Sequence, residues 1–257
     1  VIHAARNFVA IRPATYESEK EAAYLKSLMG PTRSGDLENS TFGILASDGK
    51  TPLSRIHRGP NHVFGTAPKM VEAMDKIAKA HPPLPESDQG NRIPPSIGSM
   101  RLALNIASCE NQPLIVVGPG APPEYEKELT RIFFASNQKG RFVMARASAE
   151  EIAQLEGADS AKGAQVMVVQ TNPFGTRGKI LAKANPADGI KGLESATLEG
   201  AKAFVPAAKG LPGDSTYRTH LQTGFGEGIF WDTKIPVTDL GEAQARKRNP
   251  NAKKNPQ

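Results

Sequence analysis

The chain has 257 residues and a net charge of +6, with 39% hydrophobic and 23% charged residues, a composition that fits a soluble globular protein of one large domain or two small ones. Its longest apolar runs, such as Pro113–Val117 and Val166–Val169, are only a few residues long, whereas a membrane helix needs about 20, so no membrane span is expected. The single cysteine, Cys109, excludes an internal disulfide, a Cys-x-x-Cys centre and a zinc site built on several cysteines of this chain.

Asn7–Arg12 is a short apolar run ending at Pro13 and reads as a strand. Ser18 and Glu21 form a capping-box pattern that opens a helix, with Ala22, Leu25, Leu28 and Met29 at helical spacing and Gly30-Pro31 as its stop. Thr41–Ala46, the turn Asp48-Gly49 and Pro52–His57 predict a hairpin. Pro68 suits the first turn of a helix whose apolar stripe is Met70, Val71, Met74, Ile77 and Ala78. Residues 82–95 hold five prolines and no apolar period, and predict a linker between units 1–81 and 96–206.

Beyond the linker, the pattern predicts helix Ser96–Ser108, strand Leu114–Gly118, helix Glu124–Ala135 and strand Arg141–Ala147. A short helix capped by Ser148 follows, then a hairpin of Ala164–Val169 and Lys179–Ala184, and a helix Ile190–Phe204. Residues 207–257 read as an extended arm, Ile229–Val237, followed by a helix remnant from Gly241 and a disordered basic tail. Arg246, Lys247, Arg248, Lys253 and Lys254 carry most of the charge; without these five the chain is at +1. The tail is either a solvated end or a contact for a polyanion. No aromatic residue alternates with its charges, so nucleic acid is not the expected partner.

The order of elements over 96–204 resembles that of the thioredoxin-like family. The resemblance implies an α/β fold, a mixed sheet flanked by helices, in which helical crossovers join parallel strands and a final hairpin adds an antiparallel edge. Residues 1–81 resemble the same fold with its front missing, which implies two tandem thioredoxin-like units. The two hairpins also share local sequence: Thr41–Lys50 followed by Arg55, and Gln165–Gln170 followed by Gly175–Lys179. In that family a cysteine pair sits at the start of the helix after the strand matched by Leu114–Gly118, where the helix N-terminus makes a thiolate nucleophile. This chain has Gly118-Pro119-Gly120-Ala121-Pro122-Pro123 there. The family's cis-proline before the hairpin is matched by Ser40 and by Ala164 or Gln165. No catalytic residue carries over, and no catalytic, cofactor-binding or metal residue is assigned.

Other clusters carry less. Gly118–Ala121 lacks the ending of a phosphate loop, and Glu124 and Glu126 oppose an anion at the next helix. His57 and His62 are five residues apart, fit no helix face and have no carboxylate beside them, and read as solvated loop histidines rather than metal ligands. Arg33, Asp36 and Glu38 read as a charged loop, and Cys109 as a small buried hydrophobe.

The expected function is therefore binding: a redox-inactive accessory or structural subunit of a larger assembly, with a protein partner or self-association. Phe230, Trp231 and Ile235 of the extended arm are the candidate partner-binding residues; the arm either docks on a neighbour or packs on its own domain. The alternative is a thiol-disulfide oxidoreductase module whose cysteine pair precedes Val1. A first residue that is not Met points to a removed leader, and so to a periplasmic or secreted location.

Overall fold

The computed structural model describes residues 1–11, 13, 15–29, 41–83, 94–135, 140–206, 229–230, 234 and 253–254. The chain divides into two units, one built on Val1–Gly90 and the other on Asn91–Phe230.

In the first unit the helices are α1 (Ile2–Ala5), α2 (Glu19–Met29), α3 (Pro60–Phe64) and α4 (Ala67–Ala80). Ser18 starts α2 as expected, its hydroxyl accepting the Glu21 N–H at 3.3 Å. Pro68 lies in the first turn of α4, where a missing N–H costs nothing. Met70 and Met74 of α4 are buried with Ala4 and Ile44, and Phe8, Phe42, Leu53 and Phe64 pack on this cluster.

Two expectations change here. Asn7–Arg12 is not a strand over its described residues. Asn7 and Phe8 instead continue the turn of α1 through N–H bonds to Ala4 and Ala5, and Val9 and Ile11 are 62% and 67% exposed. A strand needs a neighbour for its backbone groups, and no described segment supplies one. The hairpin is reduced to two antiparallel bridges, Phe42 with His57 and Leu45 with Pro52. Pro52 has no N–H to give a ladder, and the N–H groups of Leu53 and Ser54 converge on the one carbonyl of Ile44.

The second unit is an α/β layer structure. Its elements are α5 (Met100–Glu110), β1 (Leu114–Val117), α6 (Pro123–Phe134), β2 (Val143–Arg146), α7 (Ala149–Ile152), β3 (Val166–Thr171), β4 (Gly178–Ala184) and α8 (Gly189–Ala203). The sheet order is β2-β1-β3-β4. β1 runs parallel to β2, with Leu114 opposite Val143, and antiparallel to β3, with Leu114 opposite Val169. β4 is antiparallel to β3, with a bulge between Val168 and Val169.

All four residues of β1 are buried, because the strand is covered on both faces. Leu114 and Val116 face a cluster with Met100, Ala103, Leu104, Ala107, Met167 and Val169. Ile115 and Val117 face the other, with Tyr125, Leu129, Val166 and Leu193. α8 crosses close over β3: a Cβ on Gly200 would stand 2.4 Å from the Cβ of Val168. The expected helix Ser96–Ser108 begins later, at Met100, with Ser99 as its cap. Ile97 is drawn off into a parallel bridge with Ala145, its N–H bonding Met144 and its carbonyl accepting from Arg146.

Two more short strands, β5 (Ile229–Phe230) and β6 (Lys253–Lys254), pair in parallel. The extended reading of the arm thus holds at Ile229–Phe230, and the disordered reading of the tail fails at Lys253–Lys254. Ile229 stands opposite Lys253 and Phe230 opposite Lys254. Trp231 and Ile235 of the arm lie outside the described residues, as do most of the predicted linker and the loop with Arg33, Asp36 and Glu38.

Candidate functional site

β1 and β2 end side by side, at Val117 and Arg146. In α/β sheets the carboxyl ends of parallel strands are where connecting loops leave room for a ligand. Here the room is a recess of about 190 Å³ lined by Val117, Gly118, Pro119, Gly120, Ala121, Glu126, Arg146 and Ala147.

The chain leaves β1 in the turn Gly118-Pro119-Gly120-Ala121. Gly120 has φ 77°, the left-handed value that the third residue of a type II turn requires, and Pro119 supplies the fixed φ before it. α6 then starts at Pro123 with Pro122 as its cap. These prolines remove N–H donors from the first turn, and Glu124 and Glu126 add negative charge to it, so the helix end does not attract an anion.

Gln165, the residue before β3, underlies the turn. Its carbonyl accepts the Gly118 N–H at 2.8 Å. Its side-chain Oε1 is buried with no hydrogen-bond partner among the described residues, and would lie 4.0 Å from a Cβ on Gly120. A buried acceptor left unpaired costs free energy. Across the recess Arg146 Nη1 donates to Glu126 Oε1 at 2.7 Å, both side chains being 47% exposed, a screened pair that holds the two charges in place more than it stabilises the fold. The lining of the recess therefore offers a guanidinium and a carboxylate, paired with each other.

Cys109, partly buried, lies next to last in α5, before β1 begins and so at the opposite end of that strand from the turn. No cis peptide occurs among the described residues. Gln165 and Arg146 were not singled out by sequence reasoning, except Gln165 as a place without proline. The only signal was position: a polar residue opening the apolar run Val166–Val169, and the last residue of a short strand.

His57 and His62 come together, which spacing did not predict: their rings lie 4.5 Å apart, tilted by 32°. No group of three or more His, Cys, Asp or Glu assembles a metal site among the described residues. Phe230 lies on β5, while Trp231 and Ile235 fall outside the described residues.

Among the described residues, no helix is long and apolar enough to cross a membrane. No protein-family model, curated protein or solved structure matches the chain.

Proposed function

We propose that the chain works by binding, as a redox-inactive accessory subunit with a thioredoxin-like second unit. The observation that carries this reading is the end of β1. The resemblance implies a cysteine pair at that turn, and the chain has Gly118-Pro119-Gly120-Ala121 over a recess of about 190 Å³ instead. The order β2-β1-β3-β4, with β3 antiparallel to β1, supports the likeness, since it is the mixed sheet with an antiparallel hairpin that the element order implies. Cys109 has no second cysteine in the chain to form a disulfide with, so a dithiol cycle has no second electron carrier.

Two measurements test the reading. The purified chain should leave the rate of insulin reduction by dithiothreitol unchanged; acceleration that disappears in Cys109→Ser would overturn it. In a gentle lysate of its source cells the chain should migrate well above its own 27.4 kDa. Migration of the whole pool as a free monomer would remove the accessory role.

A further inference from the structure

The chain has six methionines, and one of them stands apart. Met70, Met74, Met100, Met144 and Met167 are buried, none more than 9% exposed. Met29, the last residue of α2, is partly exposed, and its sulfur accepts the Thr41 hydroxyl at 2.7 Å. We propose that Met29 is a modification site for a small hydroperoxide, and that the sulfoxide it becomes fastens α2 more firmly to Thr41. The proposal is independent of the role assigned to the second unit.

The site follows from access. A thioether is oxidised where a peroxide can reach the sulfur. The cores shield the other five: Met70 and Met74 lie in the cluster of the first unit, Met100 and Met167 on one face of the sheet, and Met144 on the other. At Met29 the Thr41 hydroxyl engages one lone pair of the sulfur, and the second remains for attack on a peroxide oxygen. The S–O bond forms as the O–O bond breaks. The departing hydroxide then takes the proton of the transferred hydroxyl and leaves as water. Sulfur is oxidised by two electrons, and hydrogen peroxide is reduced by the same two.

The consequence follows from the donor. A thioether sulfur is a weak acceptor, whereas the sulfoxide is polar and presents an oxygen. Thr41 already aims its hydroxyl at this side chain, so oxidation replaces a weak bond by a stronger one between the same two residues. α2 has little apolar hold, since Ala22 is its one buried residue. Polar ties therefore carry much of its attachment. Tyr24 provides one, its hydroxyl donating to the Gly49 carbonyl at 2.5 Å, and Met29 provides another. Thr41 adjoins Phe42, which bridges to His57 and packs edge to face on Phe64 at 5.8 Å. The end of α2 is thus tied to a segment that is itself held in place.

The test treats the full chain with hydrogen peroxide under native conditions and locates the added oxygen by peptide mass spectrometry, which reports Cys109 separately. Met29 is expected to gain one oxygen about tenfold or more faster than any other methionine, because oxidation tracks exposure. Amide exchange of Leu25–Met29 is then compared between the oxidised and untreated chains. It should slow about threefold or more on oxidation, for the gain of one stronger hydrogen bond. Thr41→Val should leave Met29 reactive and abolish the slowing; Thr41→Ala serves if the amide spectrum shows that Thr41→Val loses the fold. Oxidation of a buried methionine as fast as Met29 would overturn the proposal. So would exchange that is unchanged or faster in the oxidised chain, or the same slowing in the folded Thr41 variant.

Discussion

Asp48 shows how one side chain fixes a turn. Its Oδ1 accepts the N–H groups of Lys50 and Thr51 at 2.8 and 2.9 Å, and its Oδ2 accepts the Thr51 hydroxyl at 2.5 Å. These bonds go to the ionised carboxylate, and they hold its pKa down to about 2, the Thr51 hydroxyl contributing most. A carboxyl whose pKa is lower in the folded chain stabilises the fold above its unfolded value, near 3.8, and loses that contribution as the pH falls toward about 2. The turn at Asp48–Thr51 is thus expected to be intact at neutral pH and to loosen only in strong acid. Carbon-detected NMR titration of the Asp48 carboxyl should give a midpoint well below that of an ordinary aspartate, and Asp48→Asn should remove the acid-dependent change in the Thr51 amide signal. A midpoint near 4 would show that the three bonds do not persist in solution.

At the scale of elements, Glu151 joins two helices. Its Oε2 accepts the Ser148 N–H at 2.9 Å while its own N–H donates to the Ser148 hydroxyl at 3.3 Å, completing the capping box of α7. Its Oε1 accepts the Met100 N–H at 2.9 Å, so the same carboxylate also serves the first turn of α5. Glu151→Ala leaves two backbone donors without that acceptor and should cost about 1–2 kcal/mol, read as a lower denaturant midpoint with an unchanged slope. Glu151→Gln, which keeps an acceptor for one of the two donors, should cost less; equal stability of all three proteins would mean that water replaces the carboxylate at both helices.

These elements also show what the sequence made legible. The helix cap at Ser148, the hairpin of β3 and β4 and the stripe of α4 rest on neighbours within a few residues, and local pattern reveals them. The start of α5 does not, because Ile97 is claimed by β2, distant in sequence. Asn7–Arg12 has strand composition but no strand beside its described residues. The contact of His57 with His62 depends on Phe42 bridging to His57 and packing on Phe64, which no spacing rule encodes. The unpaired Oε1 of Gln165 depends on the path of Gly120 past it, again a meeting of segments far apart in the chain.

At the scale of the whole molecule, the two units differ in how their described residues are held. In the second, β1 is the centre of a ladder that ties Leu114–Val117 to Val143–Arg146 on one side and to Val166–Val169 on the other, with a buried cluster on each face. Such long-range pairing unfolds as one cooperative block. In the first, the described bridges are Phe42 with His57 and Leu45 with Pro52, joined by the Ala46 N–H bond to the Thr51 carbonyl, and the buried cluster among the described residues is Ala4, Ile44, Met70 and Met74. Free energy from apolar burial follows the area removed from water, so the first unit is expected to open at the lower temperature and denaturant concentration. Native-state hydrogen exchange gives the direct comparison. The amides of Met74 and Ile77 in α4 should exchange through an opening of lower free energy than those of Ile115, Val116 and Val168. Thermal unfolding should accordingly show two steps, the loss of α4 protection preceding the loss of the sheet. Exchange of α4 and β1 through a single opening of equal free energy, with one coincident melting step, would refute the picture of two separately stabilised cores.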